Sequence, residues 1–487
     1  MNYKRIGWFL GIVLLIEIAL MLPSLLFTAN NGDHQVTGAF LKSIAITGVA
    51  ALLLLGLTRS ESRRYAGWEM FLCAGLSYVA VCLTGALPFW FSGHMPSYID
   101  SLFEITSGFT TTGASLLSDV SDLGPGLLFW RSFSQWVGGL AVLLFFLQLL
   151  PNNSYRRGHL QELIQSASLR HKAGSYLPMV SRTTERILLI YAGLTLLDML
   201  LLKLSGMPMF DACCIAFGTA STGGFTVLNT GLTSYPVAAK VITLLFMLLF
   251  GINYALYLLG STGNYRQFLR DEELRTYLLL ILLSSLLVAW SIYRRGDAGT
   301  ALGALGSAAF QVTSIITTTG FTVTNFAQWS GLALTLLYLL LWCGGCMGST
   351  SGGIKIGRAL LLSKDIHRTM VERLEPNRVM VIRLNGKTVS ESTMRRIVTF
   401  LTVYFMVVIA SFLIISADPN GHSIDANFSA VIACINNTGT GIAEISAQGS
   451  YATFSPLSKI VLILDMLVGR LEFYPLAALV AAVVRKG

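Results

Sequence analysis

Four stretches of this chain carry the same chemical theme: "FEITSGFTTTGAS", "IAFGTASTGGFTV", "QVTSIITTTGFTV" and "VIACINNTGTGIA". Each is rich in threonine, serine or asparagine and is centred here on one glycine: Gly113, Gly223, Gly320 and Gly439. Hydroxyls and backbone carbonyls are neutral oxygen donors, and a ring of them can replace the hydration shell of a passing alkali cation. Glycine suits such a ring because it accepts torsions that other residues avoid and has no Cβ to obstruct a path. The candidate ion-binding residues are therefore Thr111, Thr112 and Gly113; Ser221, Thr222 and Gly223; Thr318, Thr319 and Gly320; and Asn437, Thr438 and Gly439. A single TTTG reads more readily as a close helix contact than as a pore, since small and hydroxyl residues are common where membrane helices pack. Four copies at like positions turn the reading toward a pore surface.

The elements that must hold these stretches are membrane helices. Of 487 residues, 54% are hydrophobic and 12% charged, with mean hydropathy +0.65, against about 25% charged in soluble domains. Apolar runs of about 20 residues, long enough to cross a hydrocarbon core of about 30 Å as helix, recur along the whole chain. A β-barrel would show short alternating segments instead. Each motif follows an apolar segment too short to span, with a full span before it and another after it. The repeating unit is helix, short re-entrant helix, polar loop, helix.

First helices are expected over 68–91, 186–204, 274–293 and 394–415, and second helices over 127–150, 237–259, 331–362 and 457–484. Two further helices, 6–28 and 40–57, precede the first unit, and the basic start at Lys4 and Arg5 is read as part of a retained helix. The expected fold is an all-α membrane protein: four pseudo-symmetric pore units around one pathway, plus two N-terminal transmembrane helices. The divisions are residues 1–67, 68–182, 183–273, 274–393 and 394–487. The chain then has ten spans and four re-entrant loops. Backbone that is not helical at membrane depth must be buried in protein or line water, so the four loops are expected to meet.

"GGCMGSTSGGIKIGRALLL" interrupts the second helix of the third unit. Glycine costs up to about 1 kcal/mol of helix stability relative to alanine at each position, so the helix is expected to break. An irregular intramembrane segment following the third motif is a candidate gate, over 344–353: Gly344, Gly345, Gly348, Ser349, Thr350, Ser351, Gly352 and Gly353, with Lys355 beside it. The alternative is a bend with only a packing role. Arg470 lies in "IVLILDMLVGRLEFYPLAALVAAVV", where a charge facing lipid costs about 2.5–3.5 kcal/mol on insertion scales. It is expected to line the cavity under the loops and to hydrogen-bond carbonyls of 344–353; pairing with Asp465 or Glu472 is the alternative. Glu104 is read as an anchor for its own loop. Glu17, Asp198 and Asp465 fit either proton coupling or helix–helix hydrogen bonds.

The formal net charge of +9 is distributed as topology, not as a nucleic-acid surface. Arg59, Arg63 and Arg64, then Arg156, Arg157, Arg170, Lys172 and Arg182, then Arg266, Arg270 and Arg275, then Lys364 to Arg396, and the two ends, all fall on one side of the expected arrangement. That side is the cytoplasm, with both termini in it; Arg294 and Arg295 fall outside. The basic loops 151–182 and 363–396 suit an acidic partner or anionic lipid. Of seven cysteines only Cys343 and Cys346 have redox spacing, and no neighbouring His or second Cys pair completes a metal site. A dithiol oxidoreductase is the remote alternative. HExxH and GxSxG are absent, and "GSTSGGIK" lacks the Gly-Lys-Ser/Thr of a P-loop, so no enzyme is expected.

"SGFTTTGAS", "STGGF", "TTTGF", "NNTGTG", "GGCMGSTSGGIKIGRALLL" and "VGRLEFYPL" together resemble the Trk/Ktr/HKT superfamily of cation transporters, most closely its TrkH/TrkG branch of bacterial potassium-uptake subunits. The resemblance implies K⁺ as the transported ion and a multi-pass protein of the bacterial inner membrane. It also implies a homodimer, one pore per subunit, set on a cytosolic nucleotide-binding regulatory subunit of the RCK type, and an intramembrane loop that gates conduction. Relatives with serine at the first motif glycine tend to pass Na⁺, and this chain has Gly113; a Na⁺-selective or Na⁺-coupled transporter of the same fold is the alternative. The fourth motif departs from the family pattern, with Thr440 where proline is usual.

Overall fold

The computed structural model describes residues 3–58, 67–149, 177–261, 263–297, 299–378, 380–441, 445 and 450–473. Two antiparallel helices, α1 (Tyr3–Asn30) and α2 (His34–Leu57), come first. Asp33 starts α2 by accepting the Val36 amide at 3.1 Å. Small residues line their buried faces, Gly7, Gly11, Ser24 and Thr28 on α1 and Ala39, Ser43, Thr47 and Ala51 on α2, which lets the backbones approach closely. Leu15, Ile16, Leu26, Leu52 and Leu53 stay exposed, as side chains facing hydrocarbon can.

The first unit contains α3 (Gly67–Gly85), α4 (Leu87–Phe91), α5 (Tyr98–Phe109) and α6 (Pro125–Leu149). The second contains α7 (Leu177–Leu204), α8 (Met209–Ser221), α9 (Val237–Phe250) and α10 (Tyr254–Ser261). After α11 (Tyr265–Arg270) come α12 (Glu272–Arg295), α13 (Ala301–Ile316), α14 (Gly331–Leu340) and α15 (Ile356–Leu374). A short hairpin of β1 (Arg383–Leu384) and β2 (Lys387–Thr388) leads to α16 (Glu391–Ser416), α17 (Ile424–Ile435) and α18 (Pro456–Arg470). The short helices α5, α8, α13 and α17 have 12, 13, 16 and 12 residues. At 1.5 Å per residue they reach no more than about 24 Å, short of a bilayer core, and their second halves are buried almost without exception.

Seven described helices are long and apolar enough to cross a membrane, or eight when the bent pair α9–α10 counts as one. Two second helices depart from the continuous spans expected, and a third breaks where a break was expected. The span over 237–259 is bent by 90° between α9 and α10. There the Gly251 carbonyl accepts the Cys346 amide at 3.0 Å and the Tyr254 amide donates to the Gly348 carbonyl at 3.2 Å. Backbone groups that would have continued the helix are taken by an intruding segment, one of the physical causes of a sharp kink. The span over 331–362 is broken, as its glycines predict, into α14 and α15 with irregular chain between them. The span over 457–484 stops at Arg470, since Glu472 and Phe473 take left-handed φ values of 53° and 63°. Residues 474–484 of that expected helix, and 151–176 of the expected basic loop, lie outside the described residues.

Candidate ion pathway

Each short helix ends in the same way. The residue at which the chain leaves the helix is left-handed and is not glycine: Thr111 at φ 55°, Thr222 at 55°, Thr318 at 56° and Asn437 at 53°. The following amide then reaches back five residues, Thr112 to Ser107, Gly223 to Gly218, Thr319 to Ser314 and Thr438 to Ala433, each at 2.8 Å. This is a Schellman-type close. A left-handed residue with a Cβ is costly, roughly 1–2 kcal/mol, so four at equivalent places mark a conformation imposed from outside the helix. Carbonyls of the last helical turn remain without intrahelical partners, and those of Thr111, Thr222, Thr318 and Asn437 accept no hydrogen bond among the described residues.

Two residues beyond each left-handed position comes a left-handed glycine: Gly113 at φ 83°, Gly224 at 75°, Gly320 at 82° and Gly439 at 72°. In the second unit the motif glycine is thus Gly224, one residue after the Gly223 on which the sequence reading centred it. The triplet matching Thr111-Thr112-Gly113 is Thr222-Gly223-Gly224, and Ser221 belongs to the helix end, level with Thr110 and Thr317. "STGG" offers two glycines, and only the backbone torsions choose between them.

These glycines join the four loops into a closed ring. A Cβ at Gly113 would strike the Gly223 carbonyl oxygen, one at Gly224 that of Thr319, one at Gly320 that of Thr438, and one at Gly439 that of Thr112. Every contact runs from one unit to the next, and the fourth returns to the first. Thr111, Thr112, Thr222, Thr318, Thr319, Asn437 and Thr438 are all fully buried. The Asn437 amide adds a strut across the closure, donating to Thr112 Oγ1 at 3.0 Å and to the Met466 carbonyl at 2.9 Å.

The ring is held from behind by Glu104 and by side chains that the sequence did not single out, Arg131, Tyr451, Tyr404 and Asn436. Glu104, as expected, anchors its loop, accepting the Leu116 amide at 2.9 Å and the Ser115 hydroxyl at 3.0 Å. Its partner is Arg131 of α6, at 2.6 Å, with side chains 0% and 3% exposed. Arg131 also donates to the Thr226 carbonyl at 3.1 Å and lies over the Phe225 ring, so one ion pair braces two loops. Replacing Arg131 with methionine should destabilise the protein by about 3–5 kcal/mol, because Glu104 is left charged and unpaired in the interior. Thermal unfolding in detergent measures this, and the Glu104→Gln/Arg131→Met double variant should recover much of the loss. Tyr451 donates to the Gly439 carbonyl at 2.8 Å, and Asn436 bridges Tyr404 at 2.8 Å and the Leu341 carbonyl at 2.7 Å.

The broken segment between α14 and α15 packs against the face of the ring made by the helix ends. Gly344 and Ile354 tie its two limbs together at 2.8 Å. Between them Thr350 Oγ1 donates to the Ala220 carbonyl at 3.2 Å and the Gly352 amide to Thr318 Oγ1 at 2.7 Å, while a Cβ on Gly352 would strike the Asn436 carbonyl. The segment therefore touches the ends of three short helices. Gly345 accepts no side chain without meeting Ser351 Oγ, Gly348 borders Asn253, and Gly353 at φ 68° turns the chain back. Ser349 and Ser351 hydroxyls pair at 2.7 Å.

Arg470 Nη1 donates to the Thr350 carbonyl at 2.8 Å, the contact expected of it; Asp465 instead accepts from Ser411, and Glu472 pairs with Arg358. Lys355 donates to the Ser351 carbonyl and, at 3.1 Å, to its hydroxyl. Glu273, at the start of α12, was not singled out from sequence. It accepts the Met347 amide at 2.6 Å and the Gly357 amide at 3.0 Å, so one carboxylate holds both sides of the segment.

A family model described as TrkH, cation transport protein, matches residues 38–486. The chain belongs to the TrkH family. The Trk system potassium uptake protein TrkH of Salmonella typhimurium is 33% identical to it over 491 residues, covering 98% of each chain. TrkG of Escherichia coli, also a Trk system potassium uptake protein, is 28% identical over 412 residues, 84% of each. The crystal structure of the potassium transporter TrkH from Vibrio parahaemolyticus superimposes with a TM-score of 0.88 at 28% identity, covering 98% of each chain.

Among the remaining residues of interest in this TrkH-family chain, Glu17 and Thr440 have local partners. Glu17 accepts from Thr84 at 2.5 Å, tying α1 to α3. Asp198 is fully buried on α7. The Thr440 amide turns back to the Thr438 carbonyl at 2.9 Å, so the residue that replaces proline uses an N–H that proline lacks. Cys343 and Cys346 are free thiols on the broken segment, and among the described residues no cluster of metal-binding side chains forms.

Proposed function

We propose that this chain takes up potassium ions across the cell membrane, through the ring closed by residues 111–113, 222–224, 318–320 and 437–439, with 344–353 as its gate. The observation that carries this reading is the cyclic contact of four left-handed glycines, each against the carbonyl of the next unit. Four helix C-termini meet at that ring, each worth roughly half a negative charge. Their unpaired carbonyls are oriented dipoles of the sign that favours a dehydrated cation. Potassium, as the cation carried, is supported by the names of the relatives in the same family. The charge of Arg470, held against the gate segment, opposes cations on the side where the four helix ends attract them. A cytoplasmic location for the α15 side is supported by the run of basic residues from Lys364 to Arg396.

The test is rubidium-tracer uptake into proteoliposomes of the purified protein, competed with K⁺ or Na⁺. Uptake that K⁺ blocks and Na⁺ barely affects is the expected result. Equal competition by the two ions would remove potassium selectivity from the ring, and no uptake under any gradient would remove the pathway.

A further inference from the structure

The four triplets are not chemically alike: the first and third are stiffened by a hydroxyl pair, the fourth has a buried Thr438 hydroxyl with no hydrogen-bond partner among the described residues, and the second has no hydroxyl at that place at all. In the first and third units the middle residue is threonine, and its hydroxyl pairs with the threonine two residues before it: Thr112 with Thr110 at 2.7 Å and Thr319 with Thr317 at 2.8 Å. That earlier threonine is fixed by its own helix, donating to Thr106 or Thr313 at 2.6 and 2.7 Å. In the second unit the middle residue is Gly223, with no hydroxyl to offer, although Ser221 is fixed to the Phe217 carbonyl at 2.7 Å in the same manner.

The vacant volume is filled from another unit. Gln135 of α6, fully buried, donates from Nε2 to the Gly223 carbonyl at 2.6 Å and accepts the Phe225 amide on Oε1 at 3.2 Å. Its two ends thus bracket Gly224, one holding the peptide before it and the other the peptide after it. A Cβ at Gly223 would lie 2.6 Å from Gln135 Cδ, 2.8 Å from Nε2 and 2.9 Å from Oε1, so the glutamine and a threonine cannot occupy the place together. Gly223 has no left-handed torsion, and its glycine identity is therefore a matter of space for Gln135.

We propose that Gln135 is a positioning residue for ion selection: its amide substitutes for the missing threonine hydroxyl and fixes the direction of the Gly223 carbonyl in the ring. The inference rests on the reading of the ring as the selecting element. It makes the second unit depend on the first for its geometry, a side-chain-to-carbonyl tie distinct from the Asn437 strut that joins the fourth triplet to the Thr112 hydroxyl of the first. With Gln135 gone, the Gly223 carbonyl is free to rotate, and a site whose oxygens can relax discriminates less between ions of different radius.

The experiment compares K⁺ and Na⁺ as competitors of rubidium uptake for Gln135→Ala, Gly223→Thr, the double variant Gln135→Ala/Gly223→Thr, and Gly224→Ala as the control for the ring itself. Gln135→Ala should lower the preference for K⁺ over Na⁺ by about tenfold, the factor carried by a 1.4 kcal/mol difference, while still transporting. Gly223→Thr alone meets Gln135 and should be impaired. The double variant supplies a hydroxyl at position 223 to pair with Ser221, a Ser-x-Thr counterpart of the pairs in the first and third units, and should regain most of the discrimination. Wild-type discrimination in Gln135→Ala, or a double variant no better than either single one, overturns the proposal. Where Gln135→Ala yields little folded protein, recovery of both folding and discrimination by the added threonine supports the proposal and no recovery overturns it. If Gly224→Ala keeps full discrimination, the ring reading fails and takes this inference with it; a damaged Gly224→Ala beside an unaffected Gln135→Ala refutes the inference alone.

Discussion

Replacing Gly224 with alanine should abolish selective rubidium uptake, while replacing Gly223 with alanine should reduce it only partly. The two glycines are adjacent and indistinguishable by type, yet their environments differ in kind. Gly224 sits at φ 75°, and its absent Cβ leaves room for the Thr319 carbonyl oxygen. An alanine there costs roughly 1–2 kcal/mol for the left-handed torsion alone. The greater damage is steric, because the atom in the way is backbone of the ring itself and can move only by opening the contact between the second and third units. At Gly223 the atoms in the way belong to the end of the Gln135 side chain, which can turn aside at the loss of two hydrogen bonds, each worth about 0.5–1.5 kcal/mol net. Uptake and K⁺/Na⁺ competition by both variants, normalised to folded protein, decide the matter. The reverse ranking would restore Gly223 as the ring glycine.

That pair also shows how far a single sequence can be read. The four loops were legible because they repeat at like positions after segments too short to span. The break over 344–353 was legible because its glycine density is incompatible with a stable helix. What composition could not give was anything settled by contact between units. The register of the second triplet depends on which glycine faces Thr319. The 90° bend between α9 and α10 has no proline to announce it; Gly251 and Asn253 lie there, and the cause is the insertion of Cys346 and Gly348 from far along the chain. Glu273 looks like an ordinary acidic residue in the first turn of a helix, a favourable place for it in any protein, and only the fold brings Met347 and Gly357 to its carboxylate. Gln135 carries no signal at all, since one amide in "SFSQWVGG" becomes informative only beside a glycine that lacks a side chain.

Arg470→Ala should raise ion leak through the closed protein by about tenfold to a hundredfold. The bond from Arg470 to the Thr350 carbonyl is buried and charged on the donor side, a class worth about 1.5–3 kcal/mol, and that difference sets the expected factor in the open-to-closed ratio. On the proposed reading the arginine acts twice, tethering the crown of the segment that touches Ala220, Thr318 and Asn436 and placing a positive charge beside the proposed ion pathway. Arg470→Lys separates these effects. It keeps the charge but replaces the planar fork by a flexible ammonium, so a purely electrostatic barrier predicts near wild-type leak, and a tether predicts leak between those of wild type and alanine. Tracer efflux at symmetric salt, without a regulatory partner, reads all three. Unchanged leak in Arg470→Ala at normal yield would mean that the 344–353 segment does not gate the pathway through this contact. Its other ties, to Glu273 and Lys355, would then have to close it without help from Arg470.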